Sequence, residues 1–260
     1  MKFIQVSNLA NDFLELTINN PENLNALSEA VADEFAQVCR ELVFKKTKAR
    51  ALVIRGQGKA FSAGGDLQML LAKTDFHPQK NRELMLKFYN SFLSILDLPF
   101  PVIAAINGTA IGAGLILACA CDLRVAASSA KMGFGFIKLG LHPGLGSTFF
   151  VPRLIGVART AELFLSSRLF DAPYAERIGL INQILDADNF DTELASFLEQ
   201  NFGGSPQASA QLVETLRPAR SDLHKILERE AFCQSVNYSS DEFKEGVTAM
   251  IEKRKAKFAL

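Results

Sequence analysis

Short apolar runs alternate with longer amphipathic segments along most of the chain. Three of these runs predict buried strands: FLELTI (Phe13–Ile18), ALVIRG (Ala51–Gly56) and PVIAAIN (101–107). Apolar residues at helical spacing predict one helix that begins after the N-cap residue Ser28, another over residues 82–96 and a third over residues 115–120. Strands and helices in alternation indicate an α/β core with much parallel sheet.

The later part of the chain changes character. DLRVAA and KMGFGF predict two short strands, and a helix is expected after Asp171, with Pro173 in its first turn and Gly179 at its C-terminal end. Beyond a Gly/Ser/Pro connection at residues 202–206 the pattern is helical only, over residues 207–217, 221–236 and 241–260. We therefore predict a core at residues 1–201 and a helical packing or oligomerisation region at residues 202–260.

Composition and charge narrow the function classes. Lys and Arg total 28 and so do Asp and Glu, which gives no basic excess for nucleic acid. The N-terminus lacks the apolar run of a signal peptide, and the longest apolar stretch, residues 101–121, is interrupted by Asn107 and several glycines. Four cysteines without a CxxC pair and only three histidines do not favour a metal site. A cytoplasmic protein without a membrane span is expected.

Two glycine-containing turns carry the candidate chemistry. GKAFSAGGDL (58–67) and NGTAIGAGLILACACD (107–122) each follow a predicted core strand. Glycine permits positive φ and close approach of a ligand, and the second turn lies at the N-terminus of a helix with its unpaired amides. Neither turn has the spacing of a dinucleotide or P-loop motif. The two turns could instead direct amides at one carbonyl oxygen, as an oxyanion hole does.

These turns resemble the signatures of the crotonase, or enoyl-CoA hydratase/isomerase, family. FSAGGDL is similar to "AFxAGxDL", and PVIAAINGTAIGAGLILACACDLRVA is similar to "PVIAAxxGxAxGGGxxLAxxCDxRxA". Further matches follow in the family's order: PENLNALS, LGLHPGLGSTFFVPRLIG, FDAPYAERIGLIN and DEFKEGVTAMIEKRKAKF. The resemblance implies a spiral of ββα units with a C-terminal helical region, assembled as a homotrimer or hexamer, that binds acyl-CoA thioesters.

The resemblance also implies site residues. The oxyanion donors carry over to the backbone amides of Ala63 and Ala113. Contacts with coenzyme A, which is part of the substrate and not a prosthetic group, carry over to a larger set: Asn23, Leu24, Ala63, Gly64, Gly65, Asp66, Leu67, Lys253 and Lys257. The two lysines are candidates for the phosphates, in the same or a neighbouring subunit; the alternative is a solvated face of a terminal helix. No metal is implied.

Two departures from the family pattern affect the reaction. Ile116 and Phe136 stand where hydratases of the family carry glutamates, and neither side chain can transfer a proton. His142 is the best substitute by residue type, although a histidine in a packing role is the alternative. Decarboxylation or thioester hydrolysis then competes with hydration, and a catalytically inactive CoA-binding scaffold is the alternative from another class.

Two further expectations concern the surroundings of the site. Residues 73–82, KTDFHPQKNR, are polar and contain a proline, which predicts a mobile loop beside the pocket. Four phenylalanines are expected to restrict the acyl pocket: Phe134, Phe136, Phe149 and Phe150.

Overall fold

A computed structural model describes residues 1–217 and 219–258 of the chain. Over these residues the chain forms ten strands: β1 (Ile4–Asn8), β2 (Phe13–Ile18), β3 (Ala51–Gly56), β4 (Ala60–Ser62), β5 (Val102–Ile106), β6 (Thr109–Ile111), β7 (Leu123–Ala127), β8 (Lys131–Gly133), β9 (Phe170–Asp171) and β10 (Gln183–Leu185). Positions 218, 259 and 260 of the predicted C-terminal region lie outside the described residues.

The same residues form eleven α-helices: α1 (Glu29–Phe44), α2 (Leu67–Ala72), α3 (Pro78–Leu93), α4 (Ala113–Cys119), α5 (Ser147–Ile155), α6 (Val157–Ser166), α7 (Ala172–Arg177), α8 (Phe190–Phe202), α9 (Pro206–Leu216), α10 (Arg220–Asn237) and α11 (Asp241–Ile251). Single turns of 3-10 helix occur at Ala10–Asp12, Pro21–Asn23, Lys73–Asp75, Ser94–Asp97 and Ile137–Leu139. None of the helices in the described ranges is long and apolar enough to cross a membrane.

Two sheets organise the strands. The larger has the order β1-β2-β3-β5-β7-β10 and is parallel except for the β1–β2 pair. The smaller has the order β4-β6-β8-β9 and is parallel except for β8–β9. Every residue of β5 is buried, as is expected of a central parallel strand covered on both faces. This confirms the α/β class and the predicted bounds of β2 and β3.

Helix α4 lies in the interior. All seven of its residues are buried, and its sequence, AGLILAC, is apolar on every face. It begins at Ala113, two residues before the predicted start, because Gly112 is its N-cap with φ of 51°. The predicted caps of two other helices are confirmed: Ser28 accepts a hydrogen bond from the amide of Val31, and Asp171 accepts one from the amide of Tyr174.

The prediction of a mobile loop at residues 73–82 is wrong. Its first residues form a 3-10 turn, and α3 begins at Pro78, which suits the first turn of a helix because it needs no amide donor there. The side chain of Lys73 is buried and lies 2.5 Å from Glu29 Oε1, on the neighbouring α1. Two smaller corrections follow: β8 ends at Gly133, before the phenylalanines, and α11 ends at Ile251.

The C-terminal helices are anchored to the core by buried polar contacts. Glu230 on α10 accepts hydrogen bonds from the amides of Gly146 (2.7 Å) and Thr148 (2.8 Å) at the start of α5. Burial raises the pKa of the Glu230 carboxyl, and these donors oppose that shift. Arg217 binds both carboxylate oxygens of Asp122, at 3.0 and 2.6 Å. Asp122 therefore has a structural contact with Arg217, the residue that follows α9.

Candidate functional site

An apolar cavity of about 610 Å³ opens where the two glycine turns meet. The predicted residues Asn23, Leu24 and 63–67 line one side of it, and Ala113 lines it beside them. Other lining residues come from α3, from the segment before α5, from α10 and from the C-cap of α10: Met85, Phe88, Tyr89, Leu141, Gly144, Leu145, Gln234 and Tyr238. The fold thus brings both turns, which lie far apart in the sequence, to one cavity.

The turns meet because the strands before them are neighbours. β4 and β6 run parallel in the smaller sheet, so the turn after each leaves the same edge. Gly64 has φ of +95°, and a Cβ placed on it would lie 2.7 Å from the carbonyl oxygen of Ile111 and 3.5 Å from the amide nitrogen of Ala113. Only a glycine allows the two turns to approach this closely.

The loop that precedes α1 completes the first turn. Leu24 and Asn25 both have positive φ, and Asn25 is fully buried. Its side-chain amide donates to the carbonyl of Ala60 at 2.7 Å, while Ser62 Oγ donates to its backbone carbonyl at 2.8 Å. These bonds hold the carbonyl of Leu24 against the turn.

Most backbone amides of the first turn are already used. Ala63 donates to the carbonyl of Leu24 at 2.9 Å, Gly64 to Ser62 Oγ at 3.2 Å and Asp66 to the carbonyl of Leu27 at 3.0 Å. The engaged amide of Ala63 contradicts its predicted role as an oxyanion donor. In the described part of the chain the amide of Gly65 has no acceptor, so it is the one in this turn that is free for a ligand.

The second turn also contains a backbone amide, that of Ala113, without an acceptor in the described chain. Gly112 donates to the carbonyl of Gly133 at 2.9 Å, and Ala113 is the first residue of α4. The first amides of a helix have no intrahelical acceptor, and the helix adds partial positive charge at this end. No described residue accepts a bond from the amide of Ala113. Asp66 meanwhile caps α2 by accepting from the amide of Met69 at 2.8 Å.

The positions of the two family glutamates differ in exposure. Ile116 is completely buried and does not line the cavity, whereas Phe136 does line it with 9% of its surface exposed. The other phenylalanines expected at the acyl pocket do not line it: Phe134 makes an edge-to-face contact with Phe164, and Phe149 makes one with Phe150. Those expectations are wrong, because the rings face the core.

His142 lies outside the cavity. It borders a separate cleft of about 580 Å³ on the other side of Leu141. Its ring Nδ1 is 2.6 Å from the carbonyl oxygen of Pro143, and burial lowers the pKa of the imidazole, which keeps it neutral near pH 7. The position does not support its predicted role in proton transfer to an acyl group.

The predicted phosphate-binding lysines also lie away from the cavity within this chain. Lys257 borders a cleft with Arg254, and its backbone amide donates to Glu245 Oε1 at 2.7 Å. Lys253 follows the end of α11 and has φ of 54°. Met250 is the residue of α11 that reaches the cavity.

Three polar residues of the cavity wall were missed by the sequence interpretation. Tyr89 Oη donates to Gln234 Oε1 at 2.7 Å, Tyr238 Oη donates to the same oxygen at 3.2 Å, and Gln234 Nε2 donates to the carbonyl of His142 at 2.7 Å. All three side chains are buried. The available signal was the helical spacing of Gln234 and Tyr238 on a face that also carries Leu227 and Ala231.

Metal ligation has no support in the described ranges, where no group of three histidine, cysteine or acidic side chains lies together. Nor does any lysine, arginine or histidine occur among the described residues that line the cavity. Its acidic members are Asp66, which caps α2, and Glu22, which is exposed on the loop before α1.

Comparison with known proteins agrees with this architecture. The profile of the family described as Enoyl-CoA hydratase/isomerase matches residues 9–259. The chain is 33% identical to a probable enoyl-CoA hydratase of Bacillus subtilis, over 94% of this chain and 93% of that protein. It is also 33% identical to the 1,2-epoxyphenylacetyl-CoA isomerase of Escherichia coli, over 99% and 98%.

A solved structure extends the similarity to three dimensions. The enoyl-CoA hydratase of Mycobacterium avium subsp. paratuberculosis superposes with a TM-score of 0.87 at 28% identity, covering 99% of both chains. The sequence profile, the full-length relatives and the shared fold agree with the pair of turns at the cavity. This chain belongs to the enoyl-CoA hydratase/isomerase family.

Proposed function

We propose that this enzyme binds an acyl-CoA thioester in the apolar cavity and stabilises its enolate with the amides of Gly65 and Ala113. The observation that carries the proposal is that these two amides lack acceptors in the described chain and lie in turns that touch each other. Paired amides stabilise negative charge that develops on a carbonyl oxygen. Gly65 takes the place first assigned to Ala63.

Ordinary hydration fits this site poorly. Adding water across an enoyl thioester requires a group that activates water and one that delivers a proton. Ile116 and Phe136 provide neither, Asp66 is engaged as a helix cap, and Glu22 is exposed on its loop. We therefore do not assign hydration as the main reaction, although several relatives are hydratases by name.

Decarboxylation of a malonyl-type thioester is the reaction that this site supports best. The bond between Cα and the carboxylate breaks, its electron pair forms the enolate, carbon dioxide leaves, and Cα takes a proton from water. No protein base is needed, and an unpaired carboxylate is disfavoured in an apolar cavity without a cationic side chain. Thioester hydrolysis loses its support because His142 lies in another cleft. Binding of acyl-CoA without turnover is the alternative from another class.

We also propose assembly as a homotrimer or hexamer in the cytoplasm. Exposed apolar side chains on α6 and α9 support an assembly, since Val157, Leu165 and Leu216 are each more than 70% exposed. Lys253 and Lys257 would then reach the CoA phosphates of a neighbouring subunit.

The proposed function is tested by removing the backbone N–H of Ala113 without changing the charge of any side chain. Ala113→Pro deletes the N–H at the first helical position, where proline is tolerated, and Ala113→Ser keeps it. With malonyl-CoA and methylmalonyl-CoA we expect carbon dioxide release by the wild type and the Ser variant, and a loss of about a hundredfold or more in the Pro variant. Rapid hydration of crotonyl-CoA would contradict the interpretation of Ile116 and Phe136. CoA affinity without turnover of any thioester would favour the inactive binder.

A further inference from the structure

The inner wall of the cavity carries a polar cluster, formed by Tyr89, Gln234 and Tyr238, amid apolar side chains. Its neighbours in the wall are Met85, Phe88, Leu141 and Leu145. The three polar residues are no more than 2% exposed, so their hydrogen-bonding groups have little access to bulk water. A buried polar group is costly unless it is paired, and two phenylalanines could pack at the tyrosine positions without that cost.

The hydrogen bonds within the cluster fix the orientation of Gln234. The carbonyl oxygen of His142 can only accept, so the nitrogen of the Gln234 amide must face it, at 2.7 Å. Gln234 Oε1 then accepts from both phenols, Tyr89 at 2.7 Å and Tyr238 at 3.2 Å. The orientation of the Gln234 amide is therefore fixed, while the Tyr238 hydroxyl has a second acceptor within reach, Met85 Sδ at 3.4 Å.

The cluster has hydrogen-bonding capacity to spare. Gln234 Nε2 carries a second hydrogen that has no partner in the described part of the chain. The phenolic oxygen of Tyr238 can still accept a hydrogen bond, whereas that of Tyr89 already accepts one from the backbone amide of Leu145. Gly144 lies against Tyr89 Oη and Gln234 Nε2, and all three residues line the cavity. The spare capacity is thus one donor together with acceptor lone pairs.

We infer that Tyr89, Gln234 and Tyr238 select an acyl group that carries a hydroxyl at the end inserted into the cavity. A hydroxyl accepts from Gln234 Nε2 and donates to the phenolic oxygen of Tyr238, so it uses both kinds of spare capacity. A ketone uses only the donor, and a methyl group uses neither. A carboxylate at this depth has no cationic side chain to pair with among the described lining residues. The inference rests on the proposed binding of acyl-CoA.

Matched thioesters test this selectivity by calorimetric titration of the whole protein. The probes are saturated acyl-CoA thioesters of increasing chain length, each prepared with a terminal methyl, keto, hydroxyl or carboxylate group. At the chain length that fits, we expect the hydroxyl form to bind about tenfold or more tightly than the methyl form, with the ketone between them. Tyr238→Phe and Gln234→Leu should reduce that ratio toward unity, chiefly by weakening the binding of the hydroxyl form.

Tyr174→Phe is the matched control, because Tyr174 lies on α7 and its hydroxyl contacts Glu162 and Arg159 and not the cavity. Equal binding of the hydroxyl and methyl forms by the wild type would overturn the inference, and so would a preference that survives both cluster variants. If no thioester binds, the methyl series included, the proposed function fails as well. Binding of the methyl series without a hydroxyl preference removes this inference alone.

Discussion

The carbonyl oxygen of Ile111 occupies the space in which a side chain on Gly64 would begin. A Cβ built on Gly64 would lie 2.7 Å from that oxygen, well inside van der Waals contact, and the φ of Gly64 is +95°. This close approach joins the two turns that carry the amides of Gly65 and Ala113, and both residues line the cavity. The geometry of the proposed oxyanion hole therefore depends on a residue that contributes no donor to it.

Gly64→Ala should damage both stability and ligand binding. The substitution adds the strain of a positive φ, about 1–2 kcal/mol, to the displacement of the Ile111 backbone, about 1–3 kcal/mol. Gly58→Ala is the control, because Gly58 has φ of +75° but its Cβ would meet only Pro21 Cβ, at 3.5 Å. Urea unfolding and acyl-CoA titration measure the two effects. Equal stability losses with unchanged affinity in both variants would show that the turns do not depend on this contact.

Ile116→Glu should destabilise the protein in a pH-dependent way. Ile116 is completely buried, so desolvation raises the pKa of the introduced carboxyl above its ordinary value of about 4.3. The folded state then binds the proton more tightly than the unfolded state. The stability of the variant therefore falls as the pH rises from the ordinary pKa of a glutamate to the raised pKa of the buried carboxyl. Once the pH exceeds the raised pKa, we expect the variant to be less stable than the wild type by about 3 kcal/mol or more.

Ile116→Leu is the control, with an expected cost below about 1.5 kcal/mol. Phe136→Glu, at a position that lines the cavity, should lose less stability than Ile116→Glu. Urea unfolding at acidic and mildly alkaline pH checks both expectations. A glutamate at position 116 that is tolerated at alkaline pH would mean that this position opens to the cavity.

The buried strands were predictable because parallel strands covered on both faces need continuous apolar runs. ALVIRG matches β3 at both ends. In contrast, β1 has one buried residue, Ile4, followed by four exposed ones. This edge strand therefore lacks the alternation of buried and exposed residues that would predict a strand. The prediction of a loop around Pro78 was wrong because a proline occurs both in loops and in the first turn of helices. The buried position of Lys73, which accompanies the compact turn before α3, depends on tertiary contacts that the local sequence does not show.

The site was predictable as motifs but not as hydrogen bonds. The family resemblance implies that both turns contribute to one oxyanion hole, yet Ala63 and Gly65 are equivalent in a one-dimensional pattern. What separates them is the carbonyl of Leu24, held against Ala63 by a loop that Asn25 ties to β4. The position of His142 is a similar case, since neighbouring residues of an irregular segment face different clefts.

His142→Gln should leave acyl-CoA affinity and turnover unchanged. The imidazole borders a different cleft, and burial lowers the pKa of His142, so it does not change charge above pH 7. Gly144→Ala, two residues along, should impair binding because the new methyl group would collide with Tyr89 Oη. Titration of both variants with the same thioester compares them. A loss of turnover in His142→Gln with unchanged affinity would restore the histidine to the reaction.

Thiol reactivity should separate one cysteine from the other three. Burial raises the pKa of Cys39 and of Cys119 to about 12, and burial also raises the pKa of Cys121. In contrast, Cys233 is half-buried and borders the same cleft as His142. Because the thiolate is the nucleophile, a disulfide reagent at a pH of about 8 should label Cys233 quickly in the native protein and all four cysteines only after unfolding. Cys233→Ser should abolish the fast phase without changing acyl-CoA affinity. Fast labelling of Cys39 or Cys119 in the native state would show that the helices over them open readily.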